Sequence, residues 1–195
     1  MTEWRPLSVD RVRELFTGID VPWWIAGGVA LDLFIGHETR AHNDIDVAIL
    51  RRDQQKFRER LASWDVQIAH EGELIPWRRG ERIDKSEHHE AWARSDPSGP
   101  WELELLLEEA DGERWRYRRE AALGLAVRDL GLRHDSGVEF IRPEVQLLYK
   151  SKGARAVDET DLLYVLPHLS PAQRSWLVAG LWTTDPKHRW LERLK

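Results

Sequence analysis

The sequence of 195 residues predicts an α/β (α+β) fold, a mixed sheet flanked by helices and followed by a helical C-terminal subdomain. Three observations predict it. Short apolar runs suited to buried strands alternate with stretches of helical spacing over residues 1–141. A polar region broken by Pro76, Gly80, Pro97, Gly99 and Pro100 interrupts them. From Pro143 onward the apolar spacing is helical.

The elements follow in order. Val9, Val12, Leu15 and Phe16 recur at helical spacing behind Ser8, a suitable N-cap, so a helix comes first. Residues 21–26 form a short, apolar, proline-led run that reads as a buried strand, and the stretch 29–35 after it has helical character. Residues 43–50 alternate polar and apolar before becoming continuously apolar, which is a strand. Residues 53–64 read as an amphipathic helix and 66–69 as a strand, while 71–100 alternates short hairpin strands with loops. The clearest later strand is 101–108, with 115–117 pairing to it across Asp111-Gly112, and 138–141 is the last. Pro143 opens a helix that Gly153 ends, and 158–166 and 171–181 are two more. The boundary falls between Ile141 and Pro143, dividing a domain of 1–141 from a subdomain of 142–195; no flexible linker separates them, so they are expected to pack together.

Composition narrows the function. Cysteine is absent, which excludes a disulfide framework, a thiol nucleophile and a cysteine-based zinc site. Residues 1–6 contain no apolar signal core and no stretch approaches the length of a membrane span, so a soluble cytoplasmic protein without a membrane partner is expected. Acidic residues outnumber basic ones by 34 to 29, which argues against a broad nucleic-acid footprint. The 11 tryptophans are scattered and read as packing residues, except Trp77 and Trp92, which flank a polar stretch where an exposed indole would stack on a base or sugar. Trp176, Leu177, Leu181 and Trp182 suit an internal core or a dimer face, leaving monomer or homodimer open.

The chemistry concentrates at Gly27-Gly28 and Asp44-Ile45-Asp46. Glycine directly after a strand lets the chain turn sharply and lets backbone N–H groups approach an anion, while the following helix start adds its positive dipole end. On a strand, Asp44 and Asp46 point to one side, where they repel unless a divalent cation lies between them. Hard oxygen ligands suit Mg²⁺, which binds through one or two carboxylates plus substrate phosphates. A phosphate cradle beside a carboxylate pair suggests nucleotidyl transfer.

These residues carry a family resemblance. Residues 24–50, with Gly27-Gly28, Arg40, His42 and Asp44-Ile45-Asp46, resemble the signature of the DNA polymerase β-type nucleotidyltransferase superfamily. The Arg-x-His-x-Asp-x-Asp form is similar to that of the aminoglycoside 2''-adenylyltransferase and lincosamide nucleotidyltransferase group, and weaker similarity continues near Glu104 and over 143–166. The resemblance implies a polymerase β-like palm and a metal-dependent enzyme moving a nucleoside monophosphate, AMP from ATP or another triphosphate, to a hydroxyl of a small molecule such as an aminoglycoside- or lincosamide-like antibiotic. It implies that Asp44 and Asp46 hold metal, with two Mg²⁺ ions in all, and that Gly27 and Gly28 bind phosphate.

Two-metal phosphoryl chemistry also needs a further acidic group. The strand 101–108 supplies Glu102 and Glu104 on one face; the family has an aspartate on the corresponding strand, and Leu103-Glu104-Leu105 is the better match. The resemblance gives Arg40 and His42 a role at the triphosphate or the leaving pyrophosphate, although both residues also suit fixing the loop between helix and strand. Lys150 suits phosphate oxygens and equally a helix C-terminus. His88-His89-Glu90 lacks metal-ligand spacing and reads as a solvated loop. Glu71, Glu73, Glu81, Asp84, Glu87 and Glu90 would attract a cationic acceptor or form a wet surface. Two alternatives stand beside the small-molecule transferase. One is a toxin-type or RNA- or protein-modifying nucleotidyltransferase using a basic groove around Arg78, Arg79, Arg82, Arg114, Arg116, Arg118 and Arg119; the other is a non-catalytic nucleotide sensor.

Overall fold

The continuously apolar strand that ends at Leu50 becomes the centre of a ten-stranded mixed sheet in the computed structural model, which describes residues 3–194; residues 1, 2 and 195 lie outside it. Ser8 caps α1 (Val9–Leu15), its hydroxyl accepting the Arg11 N–H at 3.3 Å. β1 (Trp23–Ile25) runs straight into α2 (Gly27–Ile35), and β2 (Asp46–Leu50) returns antiparallel to β1. After α3 (Gln54–Arg60) come β3 (Asp65–His70), β4 (Glu73–Pro76), β5 (Glu90–Arg94) and the long β6 (Leu103–Asp111). The strands β7 (Arg114–Arg116), β8 (Gly124–Ala126), β9 (Gly131–Arg133) and β10 (Glu139–Ile141) complete the sheet. Four helices close the chain: α4 (Pro143–Ser151), α5 (Ala156–Val165), α6 (Pro171–Thr184) and α7 (Trp190–Arg193).

The main path of the sheet is β4-β3-β5-β6-β2-β1-β10-β9, with β7 and β8 forming a ribbon off β6. Two neighbouring pairs are parallel, β2 with β6 and β1 with β10. A parallel pair needs a long crossover, and the chain between β2 and β6 supplies one containing α3 and β3 to β5.

Alternation along β2 builds two cores. Val47 and Ile49 enter a cluster with Ile25, Leu105 and the helix residues Val12 and Phe57. Ala48 and Leu50 enter the other, with Trp24, Leu31, Leu148 and Leu162. A strand covered on both faces has no solvent side to carry polar residues, so it reads as an unbroken apolar run. The second cluster also takes Leu177, Leu181 and Trp190, so the C-terminal helices share a core with the sheet.

Several sequence expectations are corrected. Asp44 and Ile45 precede β2, which begins at Asp46, and the strand expected from Trp101 begins at Leu103 and reaches Asp111. β8 and β9, three residues each, are too short to show a period, and the four-residue α7 was likewise not expected. Trp77 is no stacking platform. It is buried and its Nε1 donates to the Glu81 carbonyl at 2.8 Å. Trp92 packs edge-on against Trp4 and Trp101, at centroid distances of 5.2 and 5.7 Å. The C-terminal apolar stripe divides, with Leu177 and Leu181 buried and Trp182 56% exposed. No helix among the described residues is long and apolar enough to cross a membrane.

A test of the second core lies at Gly131, where an added Cβ would overlap the Trp24 indole. Gly131→Ala is expected to destabilise the protein by ~1–3 kcal/mol through overpacking. Denaturant unfolding that finds the variant as stable as the parent would contradict this packing.

Candidate active site

Three carboxylates meet because two strands are parallel and in register. Asp46 opens β2 and Glu104 is its partner on β6, so both side chains emerge on one face. The Glu104 N–H donates to the Ile45 carbonyl at 3.0 Å and fixes that register. Asp44, in the approach to β2, joins them in lining a cleft of about 500 Å³ whose far wall is formed by α4 and the start of α5. Glu102 takes no part: its carboxylate accepts the Ser95 N–H at 2.6 Å, and it does not line the cleft.

Crowding shows in the acidities. Burial, then the charge of Asp44, pushes the Asp46 carboxyl up to about 7, against the attraction of Lys150 and a hydrogen bond with Glu104. Glu104 is raised well above the ordinary range by burial and by the charges of Asp46 and Glu90. A divalent cation would relieve the same repulsion, and the donors are all hard oxygens. No group of three or more His, Asp or Glu residues suited to hold a metal ion stands ready among the described residues. The donors at Asp44, Asp46 and Glu104 are hard carboxylate oxygens of the kind that suit a divalent cation.

Gly27 sits at φ +64°, a left-handed conformation, and a Cβ there would overlap the Asp46 carboxylate. Its N–H, the group expected to meet phosphate, is held by Oε1 of Gln146 on α4 at 3.0 Å. Gly28 does not line the cleft; a Cβ there would overlap the His42 ring and come within 2.6 Å of Arg40 Nη2. It lets the loop before β2 pack on α2.

Arg40 and His42 bind carboxylates of the protein itself. His42 Nε2 lies 2.5 Å from Asp32, whose other oxygen accepts the Thr39 N–H and hydroxyl at 3.1 and 2.6 Å. Arg40 forms a two-pronged ion pair with Asp161 on α5, at 2.8 and 3.1 Å. Neither lines this cleft; His42 lines a neighbouring pocket of about 430 Å³ together with Asp32 and Asp44, and both side chains bind carboxylates of the helices around β2. Lys150 does line it, 2.8 Å from Asp161 and 3.6 Å from Asp158, which in turn accepts from Arg155 at 2.9 Å. Burial alone would raise the Asp161 carboxyl, but hydrogen bonds from Arg40 and Lys150 hold it below the ordinary carboxylate value.

Other residues of the cleft were read otherwise from the sequence or were not singled out there. His89 and Glu90, read as part of a solvated loop, stand in the cleft wall because β5 begins at Glu90 beside β6. Glu108 is buried and accepts from Tyr149 Oη at 2.6 Å and Trp115 Nε1 at 2.7 Å, fixing the Tyr149 ring in the wall. The arginines suggested as a nucleic-acid groove do not gather along the cleft. Arg78 pairs with Glu81, Arg82 with Asp84 and Arg116 with Asp111, and of the seven only Arg118 and Arg119 line the cleft.

Residues 8–89, less than half of the chain, match the family model of the aminoglycoside-2''-adenylyltransferases. No curated protein matches the sequence. Among solved structures, the fold is similar to that of the lincosamide antibiotic adenylyltransferase LnuA, lincomycin-bound: TM-score 0.57 at 15% identity, covering 85% of this chain and 100% of that one. ANT(2'')-Ia in complex with adenylyl-2''-tobramycin gives a TM-score of 0.56 at 15% identity, covering 88% and 94% of the two chains. Its solution structure gives 0.54 at 16%, covering 95% and 93%. Likeness at these identities establishes the fold, a mixed sheet flanked by helices. Together with the family match, it bears out the resemblance and the nucleotidyltransferase reading.

Asp161→Ala would leave Arg40 and part of the Lys150 charge unpaired, at an expected cost of about 2–3 kcal/mol at neutral pH. Because the Asp161 carboxyl is held low when folded, its contribution is present above the unfolded value of about 3.9 and is lost as pH falls through the folded value. Urea unfolding at pH 7 and pH 3 should therefore show a smaller gap between parent and variant at the lower pH; an equal gap would contradict the pairing.

Proposed function

We propose that this protein is a metal-dependent nucleotidyltransferase that moves AMP from ATP, or another nucleoside monophosphate from its triphosphate, to a hydroxyl of a small molecule and releases pyrophosphate. The observation that carries the reading is the meeting of Asp44, Asp46 and Glu104 in one cleft beside Gly27 and Lys150. The family match suggests an acceptor of the aminoglycoside type, and the likeness to LnuA one of the lincosamide type.

Asp44 and Asp46 would hold Mg²⁺, with Glu104 completing the set on the acceptor side. When bound, the metal supplies charge neutralisation at the phosphates and lowers the pKa of the acceptor hydroxyl. The chain's own groups do the rest. The Gly27 amide becomes available to a phosphate oxygen when Gln146 turns off it, and Lys150, next to Asp46, adds positive charge on the same side. The Glu104 carboxylate takes the proton of the acceptor hydroxyl as its oxygen attacks the α-phosphorus. The bond from that phosphorus to the bridging oxygen breaks, and pyrophosphate departs in line with the entering oxygen. Positioning and electrostatics supply the acceleration, with no covalent intermediate on the protein. Three of the seven arginines are paired with carboxylates and only two line the cleft, which favours a small acceptor over RNA.

Glu104→Gln is expected to lower kcat by ~100-fold or more while leaving triphosphate affinity within about twofold, since it removes the base and keeps the shape. Asp46→Asn should abolish turnover with the fold intact, and Asp44→Asn should remove the Mg²⁺ dependence of ATP binding in calorimetry. Near-normal turnover in Asp46→Asn would overturn the assignment.

A further inference from the structure

The fold leaves one polar atom of Trp92 unanswered. Its Nε1 is buried and, among the described residues, meets no acceptor at hydrogen-bonding geometry. A buried N–H without an acceptor is costly and rare, so what it faces bears on function. The indole packs edge-on against Trp4 and Trp101, which leaves the ring little freedom to seek a partner elsewhere.

Cross-strand pairing shows what the indole faces. Trp92 on β5 is the partner of Glu104 on β6, and Glu104 is in turn the partner of Asp46 on β2. Side chains at paired positions stand on one face of a sheet, so the indole and the two carboxyl groups form a row with Glu104 in the middle. On one side Glu104 shares a hydrogen bond with Asp46. On the other, burial and the neighbouring charges raise its carboxyl, and the Trp92 N–H works against that rise. The neighbouring carboxylates are engaged elsewhere: Glu102 accepts the Ser95 N–H at 2.6 Å, and Glu90 pairs with His89 at 3.2 Å.

We infer that Trp92 is a positioning residue for nucleotidyl transfer: its Nε1–H donates to one oxygen of Glu104 and so turns the other toward the acceptor hydroxyl. This rests on the nucleotidyl-transfer reading, in which Glu104 is the base. Held by Asp46 alone, the carboxyl is drawn toward β2. A second anchor from the opposite strand fixes its plane and presents one oxygen to the cleft, where a base must lie within hydrogen-bond reach of the proton it takes.

Two measurements on the full chain test this. In a nitrogen–proton NMR spectrum, the Trp92 indole signal, identified by its loss in Trp92→Phe, should move upfield in Glu104→Leu and stay in place in Glu102→Leu. In pyrophosphate release from ATP and Mg²⁺ with tobramycin or lincomycin as acceptor, Trp92→Phe should lower kcat about tenfold and leave triphosphate affinity within about twofold. In a Glu104→Gln background the same change should cost no more than about twofold, because the group it positions is already gone. Trp101→Phe, in the same aromatic cluster, should leave kcat within about twofold of the parent. Should Trp92→Phe not fold, a benzothiophene side chain at position 92 keeps the ring, removes only the N–H and should give the same loss of kcat. An indole signal indifferent to Glu104→Leu overturns the inference, as does an equal loss of kcat from Trp92→Phe in both backgrounds. A parent that neither binds ATP nor releases pyrophosphate would instead overturn the nucleotidyl-transfer reading, while the indole signal still decides the contact.

Discussion

Parallel pairing of β2 with β6 is the constraint on which the candidate site depends. Register alone sets Asp46 beside Glu104, and burial of that junction makes two adjacent negative charges unfavourable without a compensating cation or proton. An isolated pair of strands would not hold such charges together. Here the apolar faces of β2, buried on both sides, supply the stabilisation that keeps the carboxylates in place. The site is thus a local electrostatic conflict held by a large hydrophobic one-strand overlap.

The second organising element is the ion-pair chain from Arg40 through Asp161, Lys150 and Asp158 to Arg155. It joins the loop before β2 to α4 and α5, so the approach of Asp44 to the cleft is set by helices more than a hundred residues later. Asp161 is nearly inaccessible, and its charge is sustained by two cations at once. Such a network adds little net stability over an apolar substitute, but it specifies geometry, because losing any member leaves another charge without its partner. Gln146 extends the same logic to Gly27 through a single amide contact.

Together these features divide the cleft by charge. Carboxylates gather at the strand ends, and paired cations stand on the side of α4 and α5. An enzyme that brings a triphosphate and an acceptor to one phosphorus needs two such differentiated sides. Tyr149, braced by Glu108 and packed 4.8 Å from Tyr117, forms an aromatic part of the cleft wall.

Local pattern determined much of this protein. The proline-led run before Gly27, the apolar run from Val47 to Leu50 and the capped helix after Ser8 each follow from residue type and spacing, so the order of the major elements was legible. Asp44 and Asp46 also stood out as a candidate pair, two carboxylates separated by one residue beside an apolar run. Tertiary structure decided what spacing does not encode. His89 and Glu90 enter the cleft only through the pairing of β5 with β6, and Glu104 rather than Glu102 faces Asp46 only through register. Arg40 and His42 bind Asp161 and Asp32, partners 121 and 10 residues away, contacts that no local spacing announces. A sequence lists charges without saying which will neutralise which; that depends on distances of a few ångströms, which exist only once the chain has folded.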